Sequence, residues 1–368
     1  MEILECIKLE QREYITQTLI QNTVDCSKGQ IQLAQKMHRP IQWVRKIFYT
    51  ILAIVGVPVN GVAIVTLFHG NIGLSTCTTR YLVAMAMADL LVIITQVIFN
   101  RIIIYYFPIS LLSITPVCSV ISVLSRGAID CSVWFTVAFT FDRFVAICWL
   151  KLKSKYCTKR TAAVILATTG ILLCLKNIPI YFRFKHTFIV YNVPFYCSNK
   201  PSYFTDPRWI GFRKFEKILT PLIPFGLILL LNALTINHIL VTSRVRKTLR
   251  SQSKAENHRD PEMESRKKSI VLLFSISGSF ILLWLVYILY IFDAASGLDD
   301  DFYTFENIAY MLRDLNCCTN TFIYVTTQSK FREYLKKAVK YPFASIIKLI
   351  NRGKNGKQLK DPELWSKR

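Results

Sequence analysis

Cys131-Ser-Val-Trp-Phe-Thr-Val-Ala-Phe-Thr-Phe-Asp-Arg-Phe-Val-Ala-Ile-Cys148 is the second half of an apolar run that opens at Cys118 and contains one Gly and no Pro. Wound as a single α-helix, Cys118 to Arg143 rises about 37 Å, more than the ~30 Å hydrocarbon core of a bilayer. One end of this helix then holds a cysteine and the other an Asp142-Arg143 pair, on opposite sides of a membrane. Taken alone, an Arg beside an Asp at the end of an apolar span reads equally well as an ordinary interfacial ion pair. The residues around it decide between the two.

The 368 residues are 52% hydrophobic and 19% charged with a mean hydropathy of +0.34, too apolar for a water-soluble chain of this size. The net charge of +23 would suggest nucleic acid in a soluble protein. Here the basic residues fall in short segments between apolar spans, which points to membrane lipids and a cytosolic partner and leaves no nucleic-acid role. Met1-Glu-Ile-Leu-Glu-Cys-Ile-Lys8 has no apolar core before a small-residue cleavage site, so no cleaved signal peptide is expected. No Asn-x-Ser/Thr sequon occurs.

Apolar spans fall at residues 47–69, 80–105, 115–148, 160–182, 215–243, 268–293 and 303–327, each near the ~20 residues that cross as a helix. The sequence therefore predicts an all-α membrane protein, a seven-transmembrane helix bundle over residues 47–327. Residues 1–46 read as an extracellular tail ending in an interfacial turn around Trp43, and residues 341–368 as a cytoplasmic tail. Residues 328–340 put Phe331, Leu335 and Val339 on one face with Lys and Arg opposite, a short amphipathic eighth helix on the inner leaflet. With the N-terminus outside, the inner segments hold 26 Lys and Arg and the outer segments 13, a bias that favours N-out and C-in in a multi-pass plasma-membrane protein. The first span alone votes the other way, because Lys36, Arg39, Arg45 and Lys46 precede it and residues 70–79 carry no Lys or Arg.

The longest outer loop, residues 183–214, contains Cys197. In an extracellular setting it can be oxidised with Cys118 and tie the loop over the mouth of the bundle, although spacing does not fix pairing and Cys6 with Cys26 is a second possible bridge. The loop at residues 244–267 is polar and reads as mobile.

Seven spans are compatible with a transporter, a channel or a receptor, so the polar residues inside them discriminate. Asn60, Asp89, Asp142-Arg143-Phe144, Pro224, Trp284 and the pair Asn316 and Asn320-Thr-Phe-Ile-Tyr324 fall one per span, in chain order. With this set the chain resembles a rhodopsin-like (class A) G-protein-coupled receptor over roughly residues 45–340. Within that family, Ser132-Val-Trp-Phe-Thr-Val137, Asn177-Ile-Pro-Ile-Tyr181, Asn232 and the Asn316…Asn320 pair are most similar to the group of probable G-protein coupled receptor 139 and its relatives. That resemblance implies aromatic amino acids as ligands and Gq-type coupling. The departures are Phe144 for a common Tyr, Thr321 for the Pro of Asn-Pro-x-x-Tyr, Val286 where the sixth span usually has its kinking Pro, and no Trp in the fourth span. Arg266 stands near the place of an acid that restrains the third-span Arg, which implies a weakly locked inactive state and a sixth span that bends little.

The resemblance implies roles for individual residues. Asp142, Arg143, Phe144, Asn320, Tyr324, Trp284 and Phe280 would carry activation and coupling to a heterotrimeric G protein. Asp89, Ser132, Asn316 and Asn320 match the oxygen-bearing residues that hold an allosteric Na+, the alternative being a hydrogen-bonded polar core with Asp89 neutral. No other cofactor is expected. Charges in the upper halves of the spans, with neighbouring polar groups, mark the ligand site: Ser125, Arg126, Asp130, Tyr287, Glu306, Arg313 and Asp314, with Arg101 nearby. Ser125 where amine receptors place an Asp argues against a biogenic amine. Arg126 and Asp130, one turn apart, are as well placed to satisfy each other as to meet a ligand. Both signs of charge above aromatic Phe280 and Trp284 suit a small aromatic zwitterion; the other reading is that Arg126, Asp130, Arg313 and Asp314 neutralise one another and the ligand is an apolar molecule or a peptide held by the outer loop. A transporter or channel would show internal repeats and broken helices in matching halves, and none is found. No metal-ligand cluster or nucleophile–base pair points to an enzyme.

Overall fold

The computed structural model describes residues 40–69, 73–107, 109–252, 261–296 and 302–336, with the side chains of residues 150, 246–252, 261–266, 293–296 and 302 left out. Residues 1–39 and 341–368 of the expected tails, with Cys6, Cys26, Lys36 and Arg39, and Val339 and the side chain of Arg266 lie outside this set.

Six helices are long and apolar enough to cross a membrane: α1 (Pro40–His69), α2 (Thr76–Tyr106), α3 (Thr115–Cys148), α4 (Lys159–Arg183), α5 (Pro207–Val245) and the Lys267–Phe292 part of α6 (Pro261–Ser296). The seventh, α7 (Phe302–Thr327), has 26 residues, about 39 Å of helix, and packs along α6. Its apolar character is diluted by Glu306, Arg313 and Asp314. A short helix at residues 329–336, α8, follows directly.

Local chemistry sets the ends of these helices. Ser75 Oγ accepts from the Thr78 amide at 3.2 Å and Thr158 Oγ1 from the Thr161 amide at 3.1 Å, capping α2 and α4. Asp206 caps α5 by accepting from the Arg208 amide, and Pro207 follows at the first turn, where its missing N–H costs nothing. At the end of α7, Arg332 Nη1 donates to the carbonyls of Val325 and Thr326 at 2.9 Å each, which fixes α8 against the bundle. Phe331 is fully buried on this joint and meets Tyr324 edge-on at 5.8 Å.

The bundle is organised around α3, which packs against α2, α4, α5 and α6. Large apolar side chains such as Ile54, Phe68, Val164, Leu172 and Leu282 point outward. They face lipid, while small and polar groups line the seams between helices. Gly56 is one such seam: a Cβ there would sit 2.6 Å from both Cys318 Sγ and Ile93 Cδ1, so α1, α2 and α7 approach this closely only with glycine.

The structure corrects several sequence boundaries. Helix α1 begins at Pro40, so Trp43 sits on its first turns and not in an interfacial turn before it. Its basic residues are used at that end of the bundle: Arg45 Nη1 donates to Asn307 Oδ1 at 2.9 Å, and Lys46 Nζ lies 3.6 Å from the Tyr105 ring centroid. Residues read as outer and inner loops are partly helical, since α5 starts at Pro207 and its helix continues to Gln252, and α6 starts at Pro261. The break in α5 falls at Thr220-Pro221, three residues before Pro224, where Thr220 leaves helical geometry (φ −145°, ψ 105°). Helix α6 runs unbroken through Val286.

The loop after α4 is not irregular. It folds into two antiparallel ladders, β1 (Phe184–Lys185) with β4 (Ser198–Asn199) and β2 (Phe188–Val190) with β3 (Val193–Phe195). Tyr191 and Asn192 turn the hairpin at positive φ, 49° and 62°.

Candidate functional site

The two ends of α3 carry different constructions. At its N-terminal end Cys118 and Cys197 form a disulfide, with Cα atoms 6.3 Å apart. The Tyr196 amide donates to the Ser113 carbonyl at 2.7 Å, and Thr115 Oγ1 donates to the Tyr196 carbonyl at 2.9 Å, so the hairpin is fastened to the top of α3 on both sides of the bridge. Beneath it lies a cavity of about 340 Å³ lined by Gln96, Asn100, Arg101, Ser122, Arg183 and the disulfide, among others. A second cavity of about 240 Å³, on the α1 side, shares Asn100, Arg101 and Ile104. The α2 residues reach both because α2 widens into π-helical turns over Ile93–Ile103.

At the opposite end, Asp142 and Arg143 are both buried. Arg143 Nε donates to Asp142 Oδ2 at 3.0 Å, its Nη2 pairs with the same oxygen, and its Nη1 donates to Ser269 Oγ of α6 at 3.2 Å. Cys77 of α2 donates its thiol to Asp142 Oδ1 at 3.1 Å. The Arg of the third helix is therefore tied to the sixth through a neutral hydroxyl. Phe144 packs edge-on against Trp149 at 5.3 Å. Tyr324 is buried, and its hydroxyl has no hydrogen-bond partner among the described residues.

Between the two ends, Asp89 is fully buried and accepts from Ser132 Oγ at 2.5 Å and Asn320 Nδ2 at 2.9 Å. Asn316 is buried one turn before Asn320 but does not bond Asp89 directly. Carboxylate, hydroxyl and amide groups converging in a dry interior fit a hard monovalent cation by donor chemistry. Above this layer Phe280 stacks on Trp284 at 5.3 Å, and Trp284 meets Tyr287 edge-on at 5.7 Å.

The expected ligand residues are distributed differently from the sequence reading. Asp130 does not pair with Arg126; it accepts from Lys176 Nζ and Asn177 Nδ2, both at 2.7 Å, and Lys176 also lies 3.6 Å from Glu216. Arg313 clasps its neighbour Asp314 at 2.8 and 2.6 Å, while Tyr49 of α1 donates to the other Asp314 oxygen at 3.1 Å. The Arg313 guanidinium also sits over the Tyr287 and Tyr310 rings, 5.1 and 4.8 Å from their centroids. Glu306 accepts from Tyr290 at 2.9 Å, and Ser125 donates to Gln96 at 2.6 Å. None of the seven residues read as ligand contacts lines either open cavity. The reason is physical: charges this deep in an apolar bundle need partners, and Asp130, Glu306, Arg313 and Asp314 find them in neighbouring side chains.

Sequence reading missed Ser269, Gln96, Asn100, Arg183, Lys176 and Glu216. Lys176 and Glu216 carried a signal, as charges in apolar spans. Ser269, one hydroxyl at the start of a span, carried none.

The chain belongs to the 7 transmembrane receptor (rhodopsin family), whose model matches residues 59–324. It is similar to Neuropeptide receptor 22 of Caenorhabditis elegans, 26% identical over 304 residues, 78% of this chain and 67% of that one. It is likewise 26% identical over 340 residues to C-C chemokine receptor type 3 of Cavia porcellus, covering 86% of this chain and 87% of the other. It is thus a multi-pass membrane receptor of the class whose partners are a ligand and a G protein. It is not an enzyme, and the transporter or channel alternative falls with this assignment.

Proposed function

We propose that the protein is a plasma-membrane receptor, N-terminus outside and C-terminus inside, that takes an extracellular peptide-like ligand beneath the hairpin and activates a heterotrimeric G protein at the Asp142-Arg143 end. The carrying observation is that one continuous helix, α3, bears the disulfide-tethered hairpin at one end and the Arg143–Ser269 contact at the other. A ligand that favours one arrangement of α3 against α6 at the top shifts the contact at the bottom. The peptide-like reading is supported by open cavities under a hairpin roof and by relatives named as neuropeptide and chemokine receptors. A Gq-type partner rests on the sequence resemblance.

An aromatic amino acid is the second reading, favoured by the layer of Phe280, Trp284, Tyr287 and Tyr310 and by Arg126, which has no hydrogen bond or ion pair with the described residues. Against it, Asp130 and Asp314 already hold cations and are poorly placed to take an ammonium.

The test is calcium release and cyclic AMP in transfected cells challenged with peptide and amino-acid panels, beside cells expressing Arg143→Ala at matched surface level. Agonist responses that need Arg143 support the proposal. Responses independent of Arg143 refute it.

A further inference from the structure

The outer cavity under the hairpin has an unusual charge pattern for a site inside a membrane bundle. Arg101 of α2 and Arg183 at the end of α4 both line it, and no acidic side chain among the described residues does. The adjoining cavity adds Arg45 and Lys46, again with no acid. Glu216, which acts on Arg183, is held by Lys176, and Asp314, which bonds Tyr49 beside Arg101, is held by Arg313.

The two arginines are also incompletely satisfied. Arg183 donates to the Tyr203 hydroxyl at 3.2 Å, and both guanidiniums lie near aromatic rings, Arg183 at 4.4 Å from Phe184 and Arg101 at 5.6 Å from Tyr49. The Nε–H of each is buried without a hydrogen-bond partner. Ring faces attract a cation but do not accept its in-plane N–H bonds, and a buried donor left unmade is costly. Planar forks facing a cavity without a counter-charge match a planar anion with two acceptor oxygens. Gln96, Asn100 and Ser122 add neutral polar groups beside them, and the Cys118–Cys197 bridge closes the wall.

We infer that this cavity selects ligands through a carboxylate, read by Arg101 and Arg183 together, so that the ligand's free acid end enters beneath the hairpin. This rests on the receptor reading above and adds the chemical class its site takes.

The experiment uses the purified full-length receptor in lipid nanodiscs and a panel of N-acetylated aromatic and aliphatic amino acids and dipeptides. Each is supplied both as the C-terminal acid and as the C-terminal amide, and binding is read as thermal stabilisation. The wild type should prefer acids to their amides by about tenfold or more in affinity, which is ~1.4 kcal/mol or more. Arg101→Gln and Arg183→Gln should each reduce that preference to near unity, and Arg183→Lys should retain part of it. Should either Gln variant fail to fold, the acid-to-amide ratio in the other and in Arg183→Lys still decides. Equal affinity for acids and amides, no acid-selective binding anywhere in the panel, or a preference that survives the substitutions overturns the inference. None of these results touches the receptor reading, which is tested separately through Arg143 and G-protein output.

Discussion

Arg143 on the third helix reaches Ser269 on the sixth with a single hydrogen bond of 3.2 Å to a neutral hydroxyl. A hydrogen bond with one charged partner contributes roughly 1.5–3 kcal/mol, less than a buried ion pair whose breakage costs about 3–5 kcal/mol. The contact restrains the two helices, but weakly.

Ser269→Ala should therefore raise ligand-independent signalling, by up to about tenfold for each ~1.4 kcal/mol the bond contributes to the closed arrangement. Ser269→Asp, which makes the contact an ion pair, should lower it. Basal second-messenger output at matched surface expression checks both signs, and an unchanged output in both variants would remove Ser269 from the account.

Arg313 and Asp314 form a buried adjacent pair, exposed by only 4% and 1%. Removing one partner leaves a bare charge in the bundle, so Arg313→Ala or Asp314→Ala should cost about 3–5 kcal/mol of stability. The double change Arg313→Leu with Asp314→Leu should cost less than either, apart from the lost Tyr49 bond. Thermal unfolding of the purified receptor measures this. A double variant as damaged as the sum of the singles would show that each residue acts alone.

The Cys118–Cys197 bridge closes a loop of 79 residues. In the chain-entropy picture such a closure is worth about 4–5 kcal/mol. Cys118→Ser with Cys197→Ser should lower thermal stability and release the hairpin, seen as faster amide exchange over residues 184–199. Unaltered exchange there would mean that the Tyr196 and Thr115 hydrogen bonds hold the hairpin unaided.

Sodium binding at Asp89 remains a proposal with a direct check. Sodium should raise the unfolding temperature of the wild type relative to an equal concentration of choline, because an ion that binds the folded state stabilises it by mass action. Asp89→Asn keeps the size and removes the charge and one acceptor oxygen, so it should abolish the difference. An equal sodium effect in both proteins would assign it elsewhere.

The fold was legible because each membrane crossing needs about twenty apolar residues, a signal that is strong in six helices and weakened in α7 by Glu306, Arg313 and Asp314. The helix ends were less so. Pro40, Pro207 and Pro261 extend helices through polar sequence, where hydropathy falls but helical geometry continues. Of the site, the ordered polar residues singled out Asp142-Arg143, Asp89 and Asn320, and the resemblance added Ser132; that they meet in direct hydrogen bonds depends on helix packing. The pairing of the upper charges did not follow, because it depends on helix rotation. Lys176 takes Asp130 from Arg126, and Arg313 turns to its own neighbour. The π-helical stretch that carries Gln96, Asn100 and Arg101 to the cavities has no periodic signature in an apolar run.

The most direct measurement is guanine-nucleotide exchange on a purified heterotrimeric G protein by the receptor in nanodiscs, comparing the wild type, Ser269→Ala and Ser269→Ala with Arg143→Ala. The account predicts that exchange rises in the first variant and falls to the receptor-free rate in the second, because the freed Arg143 is what meets the G protein. Exchange that stays elevated in the double variant would contradict it.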